Sequence, residues 1–182
     1  DKIGVVFQDF KMYGANLCEN VVLDDLSKVD VNEDQVKDAL VRSGFGERFA
    51  ELEQGLETPI TTEFDKKGVN LSGGESQKVA ISRVFYHDNE IMIMDEPSSA
   101  LDPIAEYGLN KAMHDAAKHK AVVYISHRLS TTRDADYIYM LEKGQIIEEG
   151  THDELLMKKG KYEEMWNAQA GRYVGKKESI TA

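Results

Sequence analysis

Apolar positions change their period twice along the chain. Val5-Val6-Phe7 is a short continuous apolar run and reads as a buried strand. From residue 16 to residue 56 the spacing is helical. Asn16 with Glu19, and Asn32 with Gln35, have the spacing of reciprocal helix caps, and Val36, Ala39 and Leu40 share one face. Gly44 is placed to stop that helix, and a further short helix is expected over 47–53, ending near Gly55. Residues 58–70 show no period and read as loop. From Leu71 onward strands and helices alternate. Ser72 with Glu75 opens a helix to about Tyr86, and Ile91–Met94 is a continuous apolar strand. Asp102-Pro103 is a cap followed by proline at the first helical position; the helix carries Ala105, Leu109, Ala112, Met113 and Ala116 on one face. Ala121–Ile125 is the next strand. Tyr137–Leu141 and Gln145–Glu148 flank Lys143-Gly144 as a hairpin, Thr151 with Glu154 caps another helix, and Tyr162, Met165 and Trp166 stripe the last. Apolar strands separated by long helices predict an α/β fold with a parallel sheet, the helices of 16–56 being inserted to one side.

The 182 residues carry 22 Lys+Arg against 33 Asp+Glu, a net charge of −11, which disfavours a nucleic-acid-binding face. Phosphate ligands stay open, because backbone N–H groups can hold them. The longest apolar runs have five residues, against roughly 20 for a membrane span. The single Cys18 excludes an internal disulfide. The chain starts Asp1-Lys2 and enters an apolar run at once, so it reads as cut from a longer polypeptide.

Ile91-Met92-Ile93-Met94-Asp95-Glu96-Pro97 puts two acids at the carboxyl end of a buried strand, where open α/β sheets bind ligands. One carboxylate there can hold Mg²⁺ through water, and its neighbour can polarise an attacking water. Leu71-Ser72-Gly73-Gly74-Glu75 exposes backbone N–H groups at a helix N-terminus, an anion seat suited to phosphate. His127 follows another strand, from which it can reach a phosphate; His87, His114, His119 and His152 fall on helices or helix ends and receive no role. Gln8 follows the first strand, and taken alone is an ordinary loop residue. No HExxH or Cys/His cluster suggests zinc.

In order and spacing these segments together resemble the nucleotide-binding domain of an ATP-binding cassette (ABC) transporter. Gln8 matches the Q-loop, Leu71–Glu75 the signature motif, Ile91–Glu96 Walker B with its catalytic glutamate, Ser99–Asp102 the D-loop and His127 the H-switch. Thr62-Glu63, Ser126–Ser130 and the Gly150–Leu156 segment resemble the exporter type. The resemblance implies a RecA-like P-loop NTPase core with a helical subdomain. It divides the chain into a strand and Q-loop (1–15), a helical subdomain with X-loop (16–70), the signature, Walker B, D-loop and H-loop core (71–160), and a terminal helix and tail (161–182). It implies ATP and Mg²⁺, with Glu96 and His127 catalytic, Asp95 and Gln8 at the metal, and Ser72, Gly73, Gly74, Glu75, Gln8 and Asp102 at nucleotide. Tyr13 and Glu63 would face the coupling helices of a transmembrane domain. Two such domains, identical or different, would clamp two ATP molecules at the cytoplasmic face of the membrane, each signature meeting the ATP of its partner.

Three departures qualify that picture. Glu75 stands where the family usually has Gln, though as a capping residue it can close back on Ser72. Phe64-Asp65-Lys66-Lys67-Gly68 replaces the usual X-loop sequence. A P-loop, G-x-x-x-x-G-K-[ST], is absent: Gly160-Lys161 and Gly175-Lys176 have Leu155 and Ala170 five residues before the glycine. The N-terminal β-subdomain is likewise missing. The chain alone is therefore expected to be inactive, and to self-associate over the apolar surface a P-loop strand and helix would cover. Two other readings remain: an SMC-type chromosome ATPase, disfavoured because only 64 positions separate Gln8 from Ser72, and a non-catalytic nucleotide-binding assembly module.

Overall fold

The computed structural model describes residues 2–63, 66–87 and 89–174, and the chain divides into two compact units, Asp1–Ile125 and Ser126–Ala182. The first holds a parallel sheet, β1 (Ile3–Val6), β2 (Ile91–Asp95) and β3 (Ala121–Ile125), in the order β1-β2-β3. Val5 pairs with Ile93, which pairs with Val123. Five helices accompany it among the described residues: α1 (Leu17–Val22), α2 (Glu33–Arg42), α3 (Gly46–Ala50), α4 (Gly73–Tyr86) and α5 (Pro103–Ala117).

Side chains alternate across a strand, so each strand offers two faces. Val6, Met92 and Met94 point inward and are buried against Ala80, Ile81, Val84 and Phe85 of α4 and Leu109, Met113 and Ala116 of α5. Burial of one such side chain stabilises by about 1.5–3 kcal/mol. Helix α4 serves two cores, since Val79 packs into a second cluster with Leu17, Val21, Val36, Leu40 and Phe45. The other sheet face is open: Ile3, Val5, Val123 and Ile125 are 51%, 39%, 50% and 54% exposed. This corrects the expectation of buried strands. A parallel sheet is buried on both sides only when helices cover both faces, and within the first unit α4 and α5 pack on the opposite one. The first strand also sits earlier than expected, and Phe7, outside it, is exposed.

Local chemistry explains the helix boundaries. Asn16, Ser72 and Thr151 each form a complete capping box with the glutamate three residues on. Asn32 forms half of one: it accepts from the Asp34 and Gln35 amides, but the Gln35 carboxamide donates to the Tyr86 carbonyl at the end of α4, 2.8 Å away. Helix α2 stops at Gly44, φ 82°, with Phe45 N–H bonded to Leu40 O and Gly44 N–H to Val41 O. Helix α3 is shorter than expected. The Leu52 amide bonds to Phe49 O, three residues back, and the tightened turn buries Leu52 and Leu56.

The second unit pairs β4 (Ile138–Glu142) with β5 (Gln145–Gly150) as a hairpin, followed by α6 (His152–Lys158) and α7 (Lys161–Val174). Lys143 and Gly144 both have positive φ, 50° and 77°, the geometry of a two-residue type I′ turn. Leu129, Ile138, Leu155 and Tyr162 form its core. The buried Tyr162 hydroxyl bonds to Thr132 Oγ1 at 2.7 Å and His152 Nδ1 at 2.8 Å, so His152 has a structural use. No helix among the described residues is long and apolar enough to cross a membrane.

Candidate functional site

The carboxyl end of β2 delivers the two acids. Asp95 is the last strand residue, paired with Ile125. Glu96 follows in a left-handed conformation, φ 49°, which costs a non-glycine residue about 1–2 kcal/mol. Hydrogen bonds on both sides impose it. The Glu96 amide donates to Ile125 O at 2.9 Å, and its carbonyl accepts from Gln77 Nε2 at 3.1 Å and from the Ser99 amide at 3.2 Å. Strain maintained in this way re-aims a side chain at a sheet edge, a pattern typical of functional positions. Gln8 lies in an exposed turn just past β1, beyond the Val6–Met94 pair, so it shares this carboxyl edge with Asp95.

Helix α4 begins with the anion seat. Ser72 Oγ accepts from the Glu75 amide, and the Ser72 amide donates to Glu75 Oε2 at 2.7 Å. The two glycines have different reasons to be glycine. A Cβ on Gly74 would lie 2.9 Å from Ala100 O, so close approach to the 98–101 loop requires it. A Cβ on Gly73 would meet nothing within 4 Å, leaving open space for a ligand at the helix start. Glu75 is ionised more readily than usual. Burial opposes its charge, but the Ser72 hydrogen bonds and the Arg48 and Lys78 charges outweigh that.

Gln77, which sequence reasoning missed, joins this seat to the acids. It is 2% exposed. Its Nε2 donates to Glu96 O and to Ser99 Oγ at 3.0 Å, and its Oε1 accepts from the Ala100 amide at 2.9 Å. The available signal was a carboxamide one turn before Ala80 and Ile81 on an apolar stripe. Asp102 ends the loop as the N-cap of α5, accepting from Ile104 and Ala105 amides at 2.9 and 3.0 Å. Those hydrogen bonds, from Ala105 first and then Ile104, hold its carboxyl below the ordinary carboxylate range.

Asn20 and Arg83, also missed, fix the segment after Gln8. Asn20 is fully buried; it accepts from the Tyr13 amide at 2.9 Å and donates to Tyr13 O and Asn16 O at 3.0 Å. Arg83 of α4 donates to Lys11 O and Asn20 O, both at 2.8 Å, and lies 5.8 Å from the centre of the exposed Tyr13 ring. Thr62 and Glu63 are exposed, with Thr62 hydrogen-bonded to Asn70; Phe64 and Asp65 of that loop lie outside the described residues, as does the tail from 175. His127 belongs to the second unit. It is exposed, and its carbonyl accepts from Gln169 Nε2 at 2.9 Å.

The first unit thus assembles Gln8, Asp95 and Glu96 at one sheet edge and ties Glu96 to Ser72–Glu75 through Gln77. The open helix start with its free glycine position fits a phosphate. For a divalent cation, no group of three or more His, Cys, Asp or Glu forms a site among the described residues. Asp95 and Gln8 offer three side-chain oxygens at most, fewer than a full cation shell. That suits Mg²⁺, which keeps several waters and takes phosphate oxygens.

Known proteins place these features in a family. The chain is 34% identical over 165 residues to the mycobactin import ATP-binding/permease protein IrtA of Mycolicibacterium smegmatis, covering 91% of this chain and 18% of that protein. It is 34% identical over 170 residues to the probable multidrug resistance ABC transporter ATP-binding/permease protein YheH of Bacillus subtilis, covering 93% and 24%. A bacterial Atm1-family ABC exporter solved with ATP bound superposes with a TM-score of 0.80 at 33% identity, over 93% of this chain and 28% of that one. The chain therefore spans a quarter or less of these curated relatives. The family model described as "ABC transporter" matches residues 1–99, and the chain belongs to the ABC transporter family.

Proposed function

We propose that this chain is the larger part of an ATP-hydrolysing, energy-coupling domain of an ABC exporter, working at the cytoplasmic face of a membrane. The observation that carries the reading is Glu96, locked left-handed at the carboxyl end of β2 and tied through Gln77 to the glycine-rich start of α4. Glu96 polarises the attacking water. Asp95 and Gln8 hold Mg²⁺ and its waters, and the cation when bound offsets phosphate charge. His127 contacts the γ-phosphate. Ser72, Gly73, Gly74 and Glu75 receive the ATP of a second nucleotide-binding domain, and Asp102 lies on the loop linking the two sites. Tyr13 and Glu63 face the coupling helices of the transmembrane domain.

The sequence contains no P-loop motif, so the cradle for β- and γ-phosphates comes from another segment, and the 182 residues alone turn over no Mg-ATP. An SMC-type ATPase is not favoured, since short helices join Gln8 to Ser72 and the matched relatives are transporters. The deciding experiment is Glu96→Gln in the whole transporter. Phosphate release should fall at least about a hundredfold, the scale of losing a general base, while ATP binding persists. Unchanged turnover would mean a non-catalytic module.

A further inference from the structure

Glu75 puts a carboxylate on the first turn of the helix whose N-terminus would receive a polyphosphate. Left alone, that charge repels the ligand the turn must hold. The structure places a cation against it from outside the motif. Arg48 of α3 sets its Nε 3.0 Å from Glu75 Oε1, and its Nη1 2.8 Å from Glu51 Oε2. Glu75 Oε2 is occupied by the Ser72 amide, so the two carboxylate oxygens are divided between cap and guanidinium. The Nε contact is a charge contact, without the alignment of a hydrogen bond. Both side chains are partly shielded, 34% and 27% exposed, so water screens the pair incompletely. Lys78 adds a second favourable charge. Around the turn, Arg48 and Lys78 thus balance Glu51 and Glu75. Arg48 itself is held by the turn between α2 and α3, where Phe45 is fully buried.

We propose that Arg48 is a positioning residue of the nucleotide site, which neutralises and orients Glu75 so that the Ser72–Glu75 turn accepts a polyphosphate anion. The inference rests on the reading of that turn as a nucleotide contact. Without Arg48 the turn carries a net negative charge where an anion must arrive. Glutamine at 75 removes the charge and keeps the capping side chain, so Arg48 becomes dispensable in that background.

The test uses steady-state ATPase assays on the whole transporter. Arg48→Gln should raise KM for Mg-ATP about fivefold, the scale of one partly shielded ion pair, with kcat changed far less. Glu75→Gln alone sets the reference KM, whatever its value, and the double variant should match that reference. Equal impairment of Arg48→Gln in both backgrounds overturns the inference, because a fold-supporting arginine is not rescued by removing a charge. An unchanged KM for Arg48→Gln overturns it too. Gly73→Asp separates the underlying reading: if it leaves KM and turnover unaltered, the turn is not a nucleotide contact and both fall. If Gly73→Asp abolishes turnover while Arg48→Gln has no effect, only the role of Arg48 fails.

Discussion

Cys18 sits on α1 with 4% of its surface exposed, and burial, then the charges of Glu57, Glu33 and Glu19, push its thiol up. The nucleophile is the thiolate, so this cysteine is doubly protected, by access and by protonation. Iodoacetamide near pH 8 should leave the native chain unmodified by mass spectrometry and alkylate it fully in denaturant. Stoichiometric labelling of the native chain would show that α1 opens readily. Sequence reading established that Cys18 has no disulfide partner within these 182 residues, but not that it is buried, because Cys is small enough for either setting. Glu75 shows the same division. Its cap with Ser72 is a spacing rule, three residues apart, and was legible. Its pairing with Arg48 joins residues 27 positions apart and depends on how α3 packs, which no local pattern encodes.

At the scale of elements, the starts of helices were more legible than their ends. Asn16, Ser72, Asp102 and Thr151 act as N-caps where the sequence put them, because a cap is written in side chains within four residues. The end of α3 was misjudged because it depends on Leu52 and Leu56 turning inward to a distant core. The link between elements was invisible for a related reason. Gln77 ties α4 to the loop before α5 through three hydrogen bonds to residues 19–23 positions away. Gln77→Leu is of similar size but strands the Ala100 amide and leaves the Glu96 carbonyl only its longer bond from the Ser99 amide. It should destabilise the first unit by about 2 kcal/mol, the cost of buried polar groups left unpaired, read as a lower urea midpoint at constant slope. A midpoint equal to wild type would mean that water replaces the carboxamide.

For the molecule as a whole, the parallel sheet was legible, and its strand order and coverage were not. Apolar strands with helices between them pair in parallel, but the order β1-β2-β3 and the register Ile3–Ile91–Ala121 are set by how α4 and α5 pack on the sheet. Nothing in the strands themselves says whether one or both faces are covered. The outer row of Ile3, Val5, Val123 and Ile125 exposes four large apolar side chains on one sheet face, and such surfaces associate. Sedimentation at tens of micromolar should therefore report species heavier than the 20.5 kDa chain, shifting to monomer when Val123 and Ile125 are both changed to Thr. A monomer in the unaltered chain would count against association through this face. A mechanical consequence follows from Asn20 and Arg83. Their hydrogen bonds hold Lys11, Tyr13 and Asn16 from α1 and α4 together, so the stretch between them has no slack. A displacement of α4 would be passed to Lys11 through Arg83, and the exposed residues Phe7, Gln8 and Asp9 are where the chain can bend between that anchor and the sheet.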